Sequence, residues 1–322
     1  MTMRAIVAEQ TGGPEVLRLA EIPDPAPRPG ELLVQTAAVG VNFIETYQRS
    51  GLYAVPLPFT PGAEGAGRVL AVGPGVEGFA EGDLVATAEA TATYAERFAV
   101  AAERAVRVPE GIGADTAAAL PLQGLTAHYL ATSAARPEPG DTVLVHAGAG
   151  GVGLLLTQLL AARGVRVLTT ASTPEKQQLS RSAGASEVLG YDGFADRVRE
   201  ITGGEGVAVA YDGVGKSTFD DSLRALRVRG ELVLYGAASG PVPPFDLQRL
   251  NAGGSLSVTR PSLGHFLRTP DERVWRYREL FAAIEAGALD IRIGARFPLA
   301  EAAAAHRALE GRETTGKVIL EP

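Results

Sequence analysis

The sequence contains no cysteine. Disulfides, thiolate zinc sites, iron–sulfur clusters and cysteine nucleophiles are therefore excluded together. Histidine is scarce too: His128, His146, His265 and His306 are far apart, with no ligand spacing among them. Lysine is almost missing, since only Lys176, Lys216 and Lys317 are lysines among 30 basic residues. No apolar run approaches a membrane span, and LLLTQLL is broken by Thr157 and Gln158. The net charge of −7 and the absence of basic tracts argue against a nucleic-acid surface. The opening MTMRAIVAEQ alternates like a strand and carries Arg4 and Glu9, so it reads as structure rather than a signal peptide. The expectation is a soluble, cytoplasmic protein.

What is present is apolar and regular. At 322 residues and 46% hydrophobic, the chain can fill one large domain or two ordinary ones. Residues 1 to about 110 read as short strands between turns: RAIVAE, ELLVQTAAV, GRVLAVG, GDLVATA and ERFAV. NFIETYQRSG is the main helix signal there, with Gly51 as its stop. DTAAALPLQGLTAHYLATSA then reads as helix broken at Pro121. From DTVLVHA onward strands alternate with helices, through VRVLTTA, SEVLGY, VAVAYDG and ELVLYGA to a sixth strand, SLSVTR. The helix before ELVLYGA is read as STFDDSLRALRVRG. Such alternation means βαβ units and a doubly wound parallel sheet. Two helices and a closing strand, GKVILEP, follow. The expected class is α/β: a β-rich domain over 1–122, an inserted dinucleotide-binding domain over 123–262, and a return to the first over 263–322.

Two stretches are crowded with glycine, PGAEGAGRVLAVG and VHAGAGGVG. The second places Gly148, Gly150 and Gly153 as G-x-G-x-x-G between an apolar strand and a helix, the context of a dinucleotide fingerprint. The first has Leu70 where the third glycine would stand, and a strand pattern follows it. With no helix N-terminus to meet a phosphate, it reads as a turn and bulged strand. About 20 residues beyond the first glycine, an NAD site carries an acid for the ribose hydroxyl. Here the chain reads LTTAS, with Ser172 and then Lys176, a hydroxyl and a cation suited to a 2′-phosphate. The cofactor expected is NADPH.

VNFIETYQRSGLY, PGAEGAGRV, LQGLTAHYL, HAGAGGVG, YDGVG and VTRPSL together resemble the quinone oxidoreductases of ζ-crystallin type. These form the zinc-free branch of the medium-chain dehydrogenase/reductase superfamily. The resemblance covers nearly the whole chain and implies a discontinuous GroES-like catalytic domain with an inserted six-stranded Rossmann domain. Zinc alcohol dehydrogenases have Gly-His-Glu where this chain has Ala63 before Glu64, and their first cysteine ligand corresponds to Asn42. No metal is expected, and Glu64 is read as a structural hydrogen-bonding residue.

Without a Lewis acid, the acceptor itself must delocalise charge, as quinones and α,β-unsaturated carbonyls do. The resemblance implies Asn42, Tyr47 and Tyr53 as polar active-site residues, with Arg260 beside them. A carboxamide donates, and a tyrosine hydroxyl ordinarily stays protonated at neutral pH. From the residues alone, both tyrosines could equally pack at a domain boundary. For the cofactor the resemblance implies Asn42, Thr126, Tyr129, Gly151 and Val152 near the nicotinamide and pyrophosphate, and Ser172, Lys176 and Tyr191 at the adenosine phosphate. Ser217, Tyr235, Gly236, Ser239, Thr259, Arg260 and Lys317 complete the set. The residues alone leave Arg260 open as an interdomain ion pair and Lys317 as a surface strand residue.

The activity implied is NADPH-dependent reduction of a quinone held in the interdomain cleft by a homodimer, with SLSVTR as the expected edge-strand contact. A 2-alkenal or enone reductase, and a non-catalytic protein binding NADPH or RNA, are the alternatives.

Overall fold

The computed structural model describes residues 1–322, which divide into two compact units. One comprises residues 1–123, 269–285 and 291–322; the other comprises 124–268 and 286–290.

The first unit opens with an antiparallel pair, β1 (Thr2–Val7) and β2 (Arg18–Pro23). Then come β3 (Glu31–Val41), α1 (Phe43–Ser50), β4 (Gly65–Val72), β5 (Leu84–Thr87), β6 (Arg97–Ala101) and β7 (Val106–Arg107). α2 (Ala114–Ala119) follows, then α3 (Pro121–Tyr129), which passes from the first unit into the second at residue 124; the break between the helices falls at Pro121 as expected. β3 is the hub, pairing with β4 and β6. It alternates inward Leu32 and Val34 with outward neighbours, packing on Val69, Val85, Phe98 and Val100. The register slips twice between β3 and β4, so PGAEGAGRV is the expected turn and bulged strand. Gly51 ends α1 at φ 84°, a conformation glycine adopts without a Cβ penalty.

In the second unit β8 (Thr142–Val145), α4 (Gly151–Ala162), β9 (Arg166–Thr170), α5 (Pro174–Ser182), β10 (Glu187–Leu189) and α6 (Phe194–Ile201) build the first half. β11 (Val207–Asp212), α7 (Phe219–Ala225), β12 (Leu226–Leu234), α8 (Gln248–Ala252) and β13 (Ser257–Thr259) build the second. All six strands are parallel in the order β10-β9-β8-β11-β12-β13. Chain order reverses between β8 and β11, which marks the switch point where such sheets bind ligands. Every residue of β11 is buried, as a strand covered on both faces requires.

The helix expected over STFDDSLRALRVRG is shorter. It stops at Ala225, and Leu226 already pairs with Val207. The Arg199 guanidinium donates to the carbonyls of Arg224 and Leu226, drawing them out of a helical ladder.

The chain then returns to the first unit through α9 (Pro270–Glu285), β14 (Ile293–Pro298), α10 (Ala302–Glu310) and β15 (Lys317–Glu321). β15 pairs antiparallel with β3 and parallel with β14; β14 was not expected from the sequence, nor were β2 and β7.

Candidate active site and cofactor site

The turn after β8 is built for close approach. Gly148 donates its N–H to the Thr170 carbonyl, and Gly150 donates to that of Ala147. A Cβ on Gly148 would meet Thr169 Cβ at 2.7 Å, and one on Gly153 would meet the Gly148 Cα at 3.0 Å. Gly150 begins α4 with no side-chain cap. The N–H groups of Gly151, Val152 and Gly153, in the first helical turn, are therefore left facing outward with the positive end of the helix dipole. Those are the donors a pyrophosphate needs, and the residues present fit that group.

Beyond β9, Ser172 is exposed and Thr173 caps α5, its hydroxyl accepting the Lys176 N–H at 3.3 Å. Ser172 and Lys176 thus flank one helix start, an arrangement that fits a 2′-phosphate. At the switch point the loops after β11 and β12 come together. Tyr235 and Gly236 donate N–H groups to the Asp212 carbonyl, and Ser239 Oγ bridges the Ser217 N–H and the Val214 carbonyl. Tyr129 stacks on Phe266 with centroids 4.4 Å apart, and Tyr191 lies over His146. Thr126 is buried on α3. Thr259 donates to Glu231 at 2.9 Å, and Arg260 donates to the Leu234 carbonyl at 3.0 Å, within its own unit.

A buried network ties this turn to the sheet. His146 Nδ1 and Nε2 lie 3.0 Å from Thr170 Oγ1 and 2.9 Å from Ser222 Oγ. Thr170 Oγ1 accepts the Ala147 N–H and has a proton free for His146 Nδ1. The single Ser222 proton is shared between the Thr218 carbonyl and Asp212, so its oxygen accepts from His146 Nε2–H, and Thr170 donates to the bare Nδ1. The tautomer is thereby set. Burial pulls the imidazole below its ordinary range, with Asp212 opposing. Ala147, the next residue, holds φ 52°.

In the first unit the Glu45 carboxyl accepts the Asn42 N–H at 2.7 Å, as in a capping box. The Asn42 side chain turns elsewhere: Nδ2 donates to Glu64 Oε2 at 2.7 Å and Oδ1 accepts from Lys317 Nζ at 2.7 Å. Lys317 also pairs with Glu64, whose other oxygen accepts the Leu122 N–H. Lys317 is 1% exposed, so the surface alternative for it is wrong. Tyr47 meets Tyr53 edge to face at 5.4 Å, and Tyr53 donates its N–H to the Tyr47 carbonyl. Asn42, Tyr47 and Tyr53 thus sit on one short segment.

Sequence reasoning missed Glu45, although Asn followed three residues later by Glu is a capping signal. Burial pushes its carboxyl up to about 8 against the pull of Lys317, and its Oε1 has no hydrogen-bond partner. Phe266 and Asp212 were also missed; Asp212 lies in the YDGVG stretch without having been singled out, and Phe266 carries no local pattern. No group of three or more acidic or histidine side chains is placed to hold a metal ion.

A strand-rich unit joined to a six-stranded parallel sheet with a glycine turn at its switch point defines a medium-chain dehydrogenase/reductase. Residues 28–139 match the alcohol dehydrogenase GroES-like domain and residues 151–276 the zinc-binding dehydrogenase family. The quinone oxidoreductase of Pseudomonas aeruginosa is 46% identical over 97% of both chains. The 2-haloacrylate reductase of a Burkholderia species is 39% identical over 100% of this chain and 99% of its own. A mycobacterial protein solved in complex with NADPH superposes with a TM-score of 0.97 at 55% identity, over 99% of this chain and 100% of its own. The chain belongs to the quinone oxidoreductase family of the medium-chain dehydrogenases/reductases.

Proposed function

We infer that the protein is an NADPH-dependent quinone oxidoreductase that works without a metal. The observation that carries this reading is the uncapped start of α4 behind the glycine turn, in a chain 46% identical to a quinone oxidoreductase. Gly151, Val152 and Gly153 hold the pyrophosphate, while Ser172 and Lys176 hold the 2′-phosphate. Thr126, Tyr129, Tyr191, Ser217, Tyr235, Gly236, Ser239, Thr259 and Arg260 complete the cofactor site. Bound NADPH supplies the reducing equivalents.

The chain's own part is to meet the charge that grows on the acceptor oxygen. Asn42 spends one N–H on Glu64 and offers the other to that oxygen, and Tyr47 and Tyr53 supply hydroxyl donors. Donors of this kind suffice for a quinone because the ring spreads the charge. Kinship with a 2-haloacrylate reductase favours α,β-unsaturated acids and carbonyls as second acceptors. The same reading takes the protein as a cytoplasmic homodimer of ζ-crystallin type, joined along the edge strand β13.

The test is NADPH oxidation across a panel of 1,4-benzoquinone, 2-alkenals and 2-haloacrylate. Fastest turnover on the quinone supports the assignment; turnover confined to the alkenes moves it to the second reading.

A further inference from the structure

The environment of Lys317 is unusual, because an ammonium is seldom fully buried and then only when paired, and the partners of this one are Glu64 and Asn42. Three adjacent strands create the spot. β15 pairs with β3 so that Val318 faces Val41 and Ile319 faces Gly40, which sets Lys317 opposite Asn42. β4 pairs with β3 so that Gly65 faces Val39, which sets Glu64 opposite Gly40. Gly40 is glycine for room: a Cβ there would run into the Glu64 carboxylate and would meet Lys317 Cε at 2.6 Å.

The chemistry of the two neighbours decides how the Asn42 amide points. An ammonium only donates, so the side facing Lys317 is Oδ1; an ionised carboxylate only accepts, so the side facing Glu64 is Nδ2. A flipped amide would set N–H against N–H and oxygen against oxygen. Charge matters as well. A lone carboxylate one hydrogen bond from a donor would oppose negative charge arriving at that donor, and the ammonium cancels it.

We propose that Lys317 and Glu64 are positioning residues that lock the Asn42 carboxamide with Nδ2 toward the acceptor and neutralise its surroundings. The proposal rests on the Asn42 reading above and assigns Lys317 a role through Asn42.

A double-mutant cycle tests it. Lys317→Met lowers kcat with 1,4-benzoquinone by about 100-fold, the scale for losing one oriented donor, while the NADPH dissociation constant stays within about two-fold. Added to Asn42→Ala, it costs no more than about two-fold beyond Asn42→Ala alone, since the group it acts through is gone. If Lys317→Met does not fold, Lys317→Met/Glu64→Gln, which removes both charges together, carries the same comparison. Independent, multiplying losses in the cycle overturn the proposal. So does an NADPH affinity that falls as far as kcat/KM, which would make Lys317 a direct cofactor ligand. Full activity of Asn42→Ala alone would sink the Asn42 reading beneath it, a result the cycle keeps separate.

Discussion

His146 donates through Nε2 to Ser222 at 2.9 Å, and this contact couples the residue before the phosphate turn to the helix after β11. Ser222→Ala leaves a buried N–H without an acceptor and takes a donor from Asp212. The expected loss is about 1–3 kcal/mol in urea unfolding. His146 is held neutral by burial when folded and titrates near its ordinary value when unfolded. Its contribution is therefore full above that value and is lost as the pH falls below it. An unchanged midpoint for Ser222→Ala at neutral pH would show that the network does not hold the turn.

Glu45 has the opposite sign. Its carboxyl keeps a proton up to about 8 when folded, against 4.5 as a reference. Between those values the folded state binds the extra proton, so stability falls as pH rises, by about 1.4 kcal/mol per unit. His306, lowered to about 3 from 6.5 by burial and the neighbouring Arg49, is neutral when folded, so its effect falls away on acidification through that range. The two slopes oppose one another between 4.5 and 6.5, and above that window Glu45 acts alone. Glu45→Gln keeps an acceptor for the Asn42 N–H and removes the titration. It should be more stable than the parent at alkaline pH, with a flatter profile above neutrality. Parallel unfolding profiles for the two proteins would refute this.

Lys176→Glu should abolish any preference for NADPH over NADH by placing a negative charge at the start of α5, one residue beyond Glu175. Fluorescence titration with both coenzymes reads this directly. A retained preference would transfer the 2′-phosphate to Ser172 or to another residue.

Gly153→Ala should disturb the turn rather than the sheet, because the added methyl would run into the Ala147 carbonyl. Overpacking of this kind costs about 1–3 kcal/mol. The reading requires a weaker NADPH complex with far-ultraviolet circular dichroism unchanged; undiminished affinity would mean that α4 does not need to approach β8 so closely.

A chelator should leave turnover unchanged, since no acidic or histidine cluster is placed to hold an ion. Activity lost to the chelator and restored by zinc would contradict the metal-free reading.

The alternation of β8 to β13 and the glycine turn were legible because strand and helix periods, together with G-x-G-x-x-G, are local patterns. β12 was misjudged at its start, since the pairing of Leu226 with Val207 and the grip of Arg199 are decided by residues distant in sequence. The same holds for the site. Asn42 and the tyrosines share one stretch that only the family resemblance, not the spacing, marks as a site, whereas the link from Asn42 to Glu64 and Lys317 joins positions 22 and 275 residues away. No spacing rule reaches that far. Lys317 was placed near the cofactor by the family resemblance, but its partners Glu64 and Asn42 are visible only from its burial between strands.

The most direct test is to mix the purified protein with NADPH, add 1,4-benzoquinone, and follow loss of the reduced coenzyme against a protein-free control. The account predicts saturable binding of NADPH, tighter than that of NADH, and catalysed oxidation once the quinone is present. A protein that binds neither coenzyme, or binds NADPH and leaves the quinone unreduced, would contradict it.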